Sequence, residues 1–296
     1  MFNQSFYSMK KILLLAGFVS CALWSANAQI TIPQPSPAGS VYSKVGLTDV
    51  TIDYFRPKVK GRKIFGEGSE YLQPYGVLWR AGANSGSKLT LSTDVEIAGT
   101  SVKAGEYLIF ATPGKDAFEF KLYSDLSLGG NVPAYDEAKE VLSTSAKVTK
   151  LASPVETLTY AITDISKDNT SAHIELSWAD VSVKVPIKVS FDETVMADIE
   201  AKTQVNPGNY LAAANYYYSA DKDLDKALEW INMYLAVGEN SKQFWNLHVK
   251  AQILAKMGNK KEAIATANQS KELAANFANG DFGYIKRNED LIASLK

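Results

Sequence analysis

Ala172-His173-Ile174-Glu175-Leu176-Ser177-Trp178, followed after Ala179-Asp180 by Val181-Ser182-Val183-Lys184-Val185, sets the fold class of this chain. Apolar and polar residues alternate through both runs. Successive side chains of a strand point to opposite faces, so this is the pattern of half-buried strands in antiparallel sheets. Val50, Ile52 and Tyr54 repeat it against Thr51 and Asp53. Turn signals stand between such runs: Ala98-Gly99, Ala104-Gly105, Pro113-Gly114, Asp168-Asn169 and Ala179-Asp180. Roughly ten short strands are predicted from 41 to 190, which is the signature of an antiparallel β-sandwich or flattened barrel. One or two helical turns are predicted between Tyr135 and Leu142. No long segment of helical period interrupts the strands, which excludes a doubly wound parallel sheet.

The period changes near residue 192. A connecting helix and linker are predicted over 191–206, and a helical region over 207–296. Leu211, Ala214, Asn215 and Tyr218 share one helix face, as do Ala227, Ile231 and Tyr234. The arrangement recurs in Leu247, Lys250, Ala251 and Leu254, then Ala263, Ala267 and Ser270. Paired helices with small residues where they touch resemble the tetratricopeptide repeat. Met257-Gly258-Asn259 reads as the turn inside the second pair. A last helix over 282–296 is expected to turn Ile285, Leu291 and Ile292 inward.

Working toward the N-terminus, Pro33, Pro35, Pro37, Gly39 and Ser40 make residues 29–40 an extended linker or strand lead-in. Residues 1–28 read as a signal peptide. Lys10 and Lys11 supply its charge, Ile12 to Trp24 its apolar stretch, and Ala26-Asn27-Ala28 its cleavage site. Met9 is an alternative start. The mature protein is therefore expected in the periplasm or secreted. Phe18-Val19-Ser20-Cys21 offers a competing reading, a lipoprotein anchored through Cys21. Cys21 is the single cysteine, so cleavage after Ala28 leaves no disulfide, thiolate metal site or cysteine nucleophile. Without Lys10 and Lys11 the 31 basic side chains fall to 29 against 32 acidic ones, a net of −3. That balance gives no electrostatic drive toward nucleic acid. No stretch of the mature chain is long and apolar enough to span a membrane.

The least ordinary stretch runs from Tyr54 to Asn84. It contains Tyr54-Phe55-Arg56-Pro57, Lys60-Gly61-Arg62, Phe65-Gly66, Pro74-Tyr75-Gly76 and Trp79-Arg80-Ala81-Gly82-Ala83-Asn84. This ordered string resembles the bacterial domain-of-unknown-function family number 2911. That family shows a tyrosine and Arg-Pro, Lys-Gly-Arg, Phe-Gly, Pro-Tyr-Gly and Trp-Arg-(Thr or Ala)-Gly-Ala-Asn in the same order. The resemblance extends through Ala98-Gly99 and Ala104-Gly105-Glu106-Tyr107 and covers about residues 33–190. It implies the fold and carries no activity with it. Secretion and a tetratricopeptide-like tail are similar to what its members are expected to have.

Arginine usage singles out the same stretch. Only Arg56, Arg62, Arg80 and Arg287 are arginines, and three of these four lie in the motif. Arginine offers a planar five-donor fork that lysine does not reproduce. Tyr54, Arg56, Arg62, Tyr75, Trp79, Arg80 and Asn84 are therefore the candidate ligand-binding residues. The arginines and Asn84 would meet an anion, and the aromatics would wall it. The plainer reading has the arginines fastening a long loop to backbone carbonyls. The segment 57–76 is about 20 residues without a strand pattern, and loops of that length are often functional.

The usual catalytic sets are weak or absent in the sequence. His173 is expected on the polar face of its strand and His248 on a helix surface, and neither stands in a metal-binding or triad spacing. No catalytic residue, metal ligand or cofactor is assigned. Asp49, Asp53, Glu67 and Glu70 are carboxylates near the motif, and Asp164, Asp168 and Asn169 form an acidic turn. The leading expectation is a non-enzymatic binding or assembly module of the cell envelope. Its sandwich would hold a small anion or glycan, and its helices an unknown protein. The alternative is a carbohydrate-binding protein or glycoside hydrolase, which needs a row of exposed aromatics or two facing carboxylates.

Overall fold

The computed structural model describes residues 32–203, 206 and 208–296. The leader expected over 1–28, with Cys21, lies outside the described residues. The chain divides between Ser190 and Phe191 into two compact units.

In the first unit the alternating runs become strands, as their period requires. They are β1 (Ala38–Val45), β2 (Thr48–Phe55), β3 (Phe65–Gly66), β4 (Gln73–Pro74), β5 (Ser87–Leu91), β6 (Val95–Ile97), β7 (Thr100–Val102), β8 (Gly105–Thr112), β9 (Ala117–Tyr123), β10 (Glu140–Thr163) and β11 (Ser171–Val189). Nine of them form one antiparallel sheet, ordered β1-β2-β5-β8-β9-β10-β11-β6-β7. Among the described residues only β3 and β4 pair parallel, over two residues each. The lead-in expected over 29–40 gives way to β1 at Ala38.

Not all strands are short. β10 has 24 residues and would be about 80 Å long if straight. Instead it serves two partners. Glu140–Lys147 pairs with β9, and Val148–Thr163 pairs with β11 across register breaks near Val155. Bulges of this kind bend and twist a strand. The chain just past β2 then meets β10, with Leu158 N–H donating to Pro57 O at 2.9 Å and Val59 N–H to Glu156 O at 2.8 Å. The sheet thus curls back toward its own first edge. Ile52, Leu89, Ile109, Phe118, Leu122, Tyr160 and Trp178 fill the interior at 3% exposure or less.

Four of the predicted turn dipeptides join strands. Ala98 and Gly99, both at positive φ, close the tight β6–β7 hairpin. Ala179-Asp180 does not join strands. It lies inside β11, with Ala179 at φ 53°. Before it the even-numbered residues are buried, and after it Val181, Val183, Val185 and Ile187 are. One extra residue resets the parity so that both halves keep their apolar side inward. Between Tyr135 and Leu142 only a single 3-10 turn forms, Glu137–Lys139, before β10 begins.

The second unit is helical among its described residues: α1 (Asp192–Thr203), α2 (Asn209–Ser219), α3 (Leu224–Leu235), α4 (Phe244–Lys256), α5 (Lys260–Ala275) and α6 (Tyr284–Leu295). α2 with α3 and α4 with α5 form the expected hairpins. Ala214, Ala227, Ile231, Ala251, Ala263 and Ala267 are all fully buried, which lets the helices approach closely. Asp223 caps α3 by accepting the Lys226 N–H at 3.0 Å. Gly258, at φ 83°, makes the α4–α5 turn. On α6, Ile285, Leu291 and Ile292 are half-buried, and the sealed residue is the polar Asn288. His248 is not on the surface: it is 7% exposed, with Nδ1 2.8 Å from Asn288 Oδ1.

Candidate functional site

The segment 57–76 is a fastened strap, not a free loop. Lys60 and Gly61 take positive φ and turn the chain. The Arg62 side chain closes that turn, donating from Nε to Val59 O at 3.1 Å and from Nη2 to Lys58 O at 2.5 Å. Lys60 N–H donates to Glu156 on β10 at 3.0 Å. Phe65, half-buried, then packs on the edge of the core, edge-on to Phe118 at 5.0 Å and to Trp79 and Trp178 at 5.8 Å. A side chain at Gly66 would have to displace the Tyr71 ring. A Cβ there would stand 2.3 Å from the Tyr71 ring.

The other candidates divide by environment. Trp79 is core, 3% exposed, stacked at 5.8 Å on Trp178 and donating from Nε1 to Gly82 O at 3.0 Å. Tyr54 is 6% exposed and edge-on to Tyr160 at 5.0 Å. Arg56 reaches Leu158 O and Thr159 Oγ1, each at 3.4 Å. Arg80 donates to Asn84 O at 2.6 Å, and the Asn84 amide donates to Ser36 O at 3.5 Å. All three motif arginines are thus tied to backbone oxygens, as the plainer sequence reading has it. The seven residues do not gather in one place. Tyr54 lines a cleft of ≈620 Å³ with Asp53, Ser85, Gly86 and Lys88, whereas Arg62 and Tyr75 line a different one.

That second cleft has a volume of ≈720 Å³. The strap supplies Arg62, Lys63, Phe65, Gly66, Glu67, Tyr71 and Tyr75, the β8–β9 turn adds Lys115, and the sheet adds Lys150, Glu156 and Asp180. Lys63 lies over the Tyr71 ring, 5.4 Å from its centre. Lys150 is paired with Asp180 at 2.6 Å, a contact that raises the lysine pKa. Glu156 is engaged by the Lys60 N–H. No carboxylate among the described residues pairs with Lys115. Arg62 spends two of its five donors on the strap, which leaves three. An anion with an apolar portion fits cations and tyrosine rings arranged in this way. Sequence reading missed Lys115 and Lys150 because they arrive from the β8–β9 turn and from β10, far along the chain.

The remaining polar groups are engaged elsewhere. Asp49 accepts from Tyr42 at 2.6 Å and pairs with Lys44 at 2.8 Å. Asp53 lines the smaller cleft, whereas Glu67 stays in the strap cleft as one of its acids. The Asp168 carboxyl, held at about 2 by Ser166 and Thr170, closes its own turn. His173 is half-exposed, 3.5 Å from Asp164. Trp79 and Trp178 both lie in the core, so neither belongs to an exposed row of aromatics.

A family profile described as "Protein of unknown function (DUF2911)" matches residues 36–187, 152 of the 296. The chain belongs to this family. No curated protein and no solved structure matches it. The DUF2911 match begins just before β1 and ends within β11, so it coincides with the curled sheet and leaves the helices outside. The ordered motif of the family thereby receives a structural meaning. Arg62, Phe65, Gly66 and Tyr75 build one wall of the larger cleft, while Arg80 and Asn84 brace the chain near Ser85 and Gly86, which line the smaller one.

Proposed function

We propose that this DUF2911 protein is a non-enzymatic binding or assembly protein, secreted or periplasmic after cleavage near Ala28. Its β-domain holds a small anionic ligand and its helices hold a protein partner. One observation carries the ligand reading. Arg62, Phe65, Gly66 and Tyr75, drawn from three separate family elements, line a single open cleft with Lys63, Lys115 and Lys150. Lys150 is paired with Asp180 and Lys63 lies 4.0 Å from Glu70, so Lys115 and the three spare donors of Arg62 are the groups left to meet an anion at that opening. The glycan alternative has less support, because Trp79 and Trp178 are in the core.

The test is titration of isotope-labelled protein with succinate, inorganic phosphate and cellotriose, followed residue by residue by NMR. Saturable shifts over Lys58–Gly76 and at Lys115 with either anion, weakened about tenfold by Arg62→Ala, are expected for loss of a charge-assisted contact. A response to cellotriose alone would establish the glycan reading instead. No saturable response to any of the three sinks the ligand cleft.

A further inference from the structure

The fourth arginine lies outside the family match and is not tied down like the others. Arg287, on α6, lies over the Tyr284 ring with its guanidinium carbon 4.8 Å from the ring centre. Among the described residues its guanidinium donates to no protein oxygen, whereas those of Arg56, Arg62 and Arg80 all do. This cation–π contact limits the rotamers of the fork, so less freedom is lost when it meets a planar partner. The cleft it faces, ≈600 Å³ between α4 and α6, also contains His248, Gln252, Asp290 and Ser294. Asp290 is an acid in that cleft, but Lys286 one turn earlier on α6 already pairs with it.

His248 is fixed by a directional chain of hydrogen bonds. The Asn288 amide donates to Tyr284 O at 2.8 Å and to Ser270 Oγ at 2.9 Å. Ser270 donates onward to Phe244 O at 2.7 Å. Flipping the amide would set Oδ1 against the Tyr284 carbonyl, so Oδ1 must face His248. The imidazole therefore carries its proton on Nδ1. Nε2 has no protein partner and is not one of the sealed polar atoms. Burial and the Arg287 charge hold this imidazole below its ordinary pKa. A polar network of this kind is costly when incomplete and rigid when satisfied. It locks α6, and with it the Arg287–Tyr284 pair, onto α4 and α5.

We propose that the α4–α6 cleft is a second binding site, in which the Arg287 fork takes a carboxylate, from either a small acid or a peptide C-terminus. His248 and Gln252 stand beside the fork as polar neighbours of the bound group. The site is independent of the strap cleft in the β-domain, and its occupancy does not require that cleft to bind anything.

The experiment is NMR titration of the full chain with succinate, with N-acetylated trialanine bearing a free carboxylate, and with the same peptide as its C-terminal amide. Saturable shifts at His248 and across Tyr284–Ser294 are expected. Arg287→Lys, which keeps the charge and most of the stem, should weaken binding about tenfold through loss of the bidentate fork. A response to succinate only, or to the acid peptide only, identifies the source of the carboxylate. Shifts confined to Lys58–Gly76 would belong to the other cleft and would overturn this proposal. Equal binding of amide and acid peptides by the unaltered protein would overturn it without any mutation. Unchanged affinity in an Arg287→Lys protein of unaltered melting temperature would do the same.

Discussion

Trp79 and Trp178 stack on one another in the core, yet their indole N–H groups have opposite fates. Trp79 Nε1 donates to Gly82 O, whereas Trp178 Nε1 is sealed without a partner. A buried donor left unmade costs ~1–3 kcal/mol, and removing it together with its demand for a partner can be neutral. Trp178→Phe therefore loses packing but sheds that penalty, while Trp79→Phe loses packing and orphans a carbonyl. Trp79→Phe is expected to be the more damaging by ~1–2 kcal/mol in urea unfolding. Equal losses would show that the Trp178 N–H is satisfied in solution. At this scale the sequence was legible in chemical type and misleading in placement. Three arginines clustered in one motif suggested a shared ligand, yet each bonds backbone oxygens. His248 looked like a surface residue because its partner, Asn288, stands 40 positions away. No local pattern encodes such a pair.

Strands, in contrast, were written plainly. The alternation around Ile174 and Val183 is a local consequence of two-residue periodicity, and it survives whatever the strand pairs with. What alternation cannot distinguish is a turn from a bulge, since both admit a residue at positive φ. Ala179-Asp180 shows the ambiguity: it resets the parity of one continuous strand instead of reversing it. A β-branched side chain at φ 53° is strained, whereas glycine is at ease there. Ala179→Val is expected to lower stability by ~1–2 kcal/mol, and Ala179→Gly to leave it within about 0.5 kcal/mol, relief of strain offsetting added chain entropy. Paired chemical denaturation curves measure both. A tolerated valine would mean that β11 slips register in solution instead of keeping its bulge. The strap 57–76 was legible as exceptional but not as structure. Its anchors, Phe65 among Phe118, Trp79 and Trp178, become visible only once β9, β11 and the strap are brought together.

Across the whole molecule, two kinds of period produce two kinds of core. In the β-unit, side chains from strands distant in sequence fill one interior, so its contacts are mostly non-local. In the helical unit, Ala214, Ala227, Ile231, Leu247 and Ile253 pack between helices that follow one another directly. The break between Ser190 and Phe191 separates these cores, and each is large enough to sustain a cooperative transition by itself. Residues 32–190 alone are therefore expected to unfold in one transition that superposes on the β-transition of the full chain. Helical circular dichroism in the full chain should be lost at a different urea concentration. Refolding should separate the units further, because helices closing local contacts form faster than strands that must first close long loops. Trp79 and Trp178 report one unit, and Trp230 and Trp245 the other, so single tryptophan-to-phenylalanine variants in the helices assign the phases. If residues 32–190 gave no cooperative transition, the β-unit would depend on its helices for stability. The helices would then be a structural brace, and the division of labour between ligand cleft and partner-binding tail would have to be abandoned.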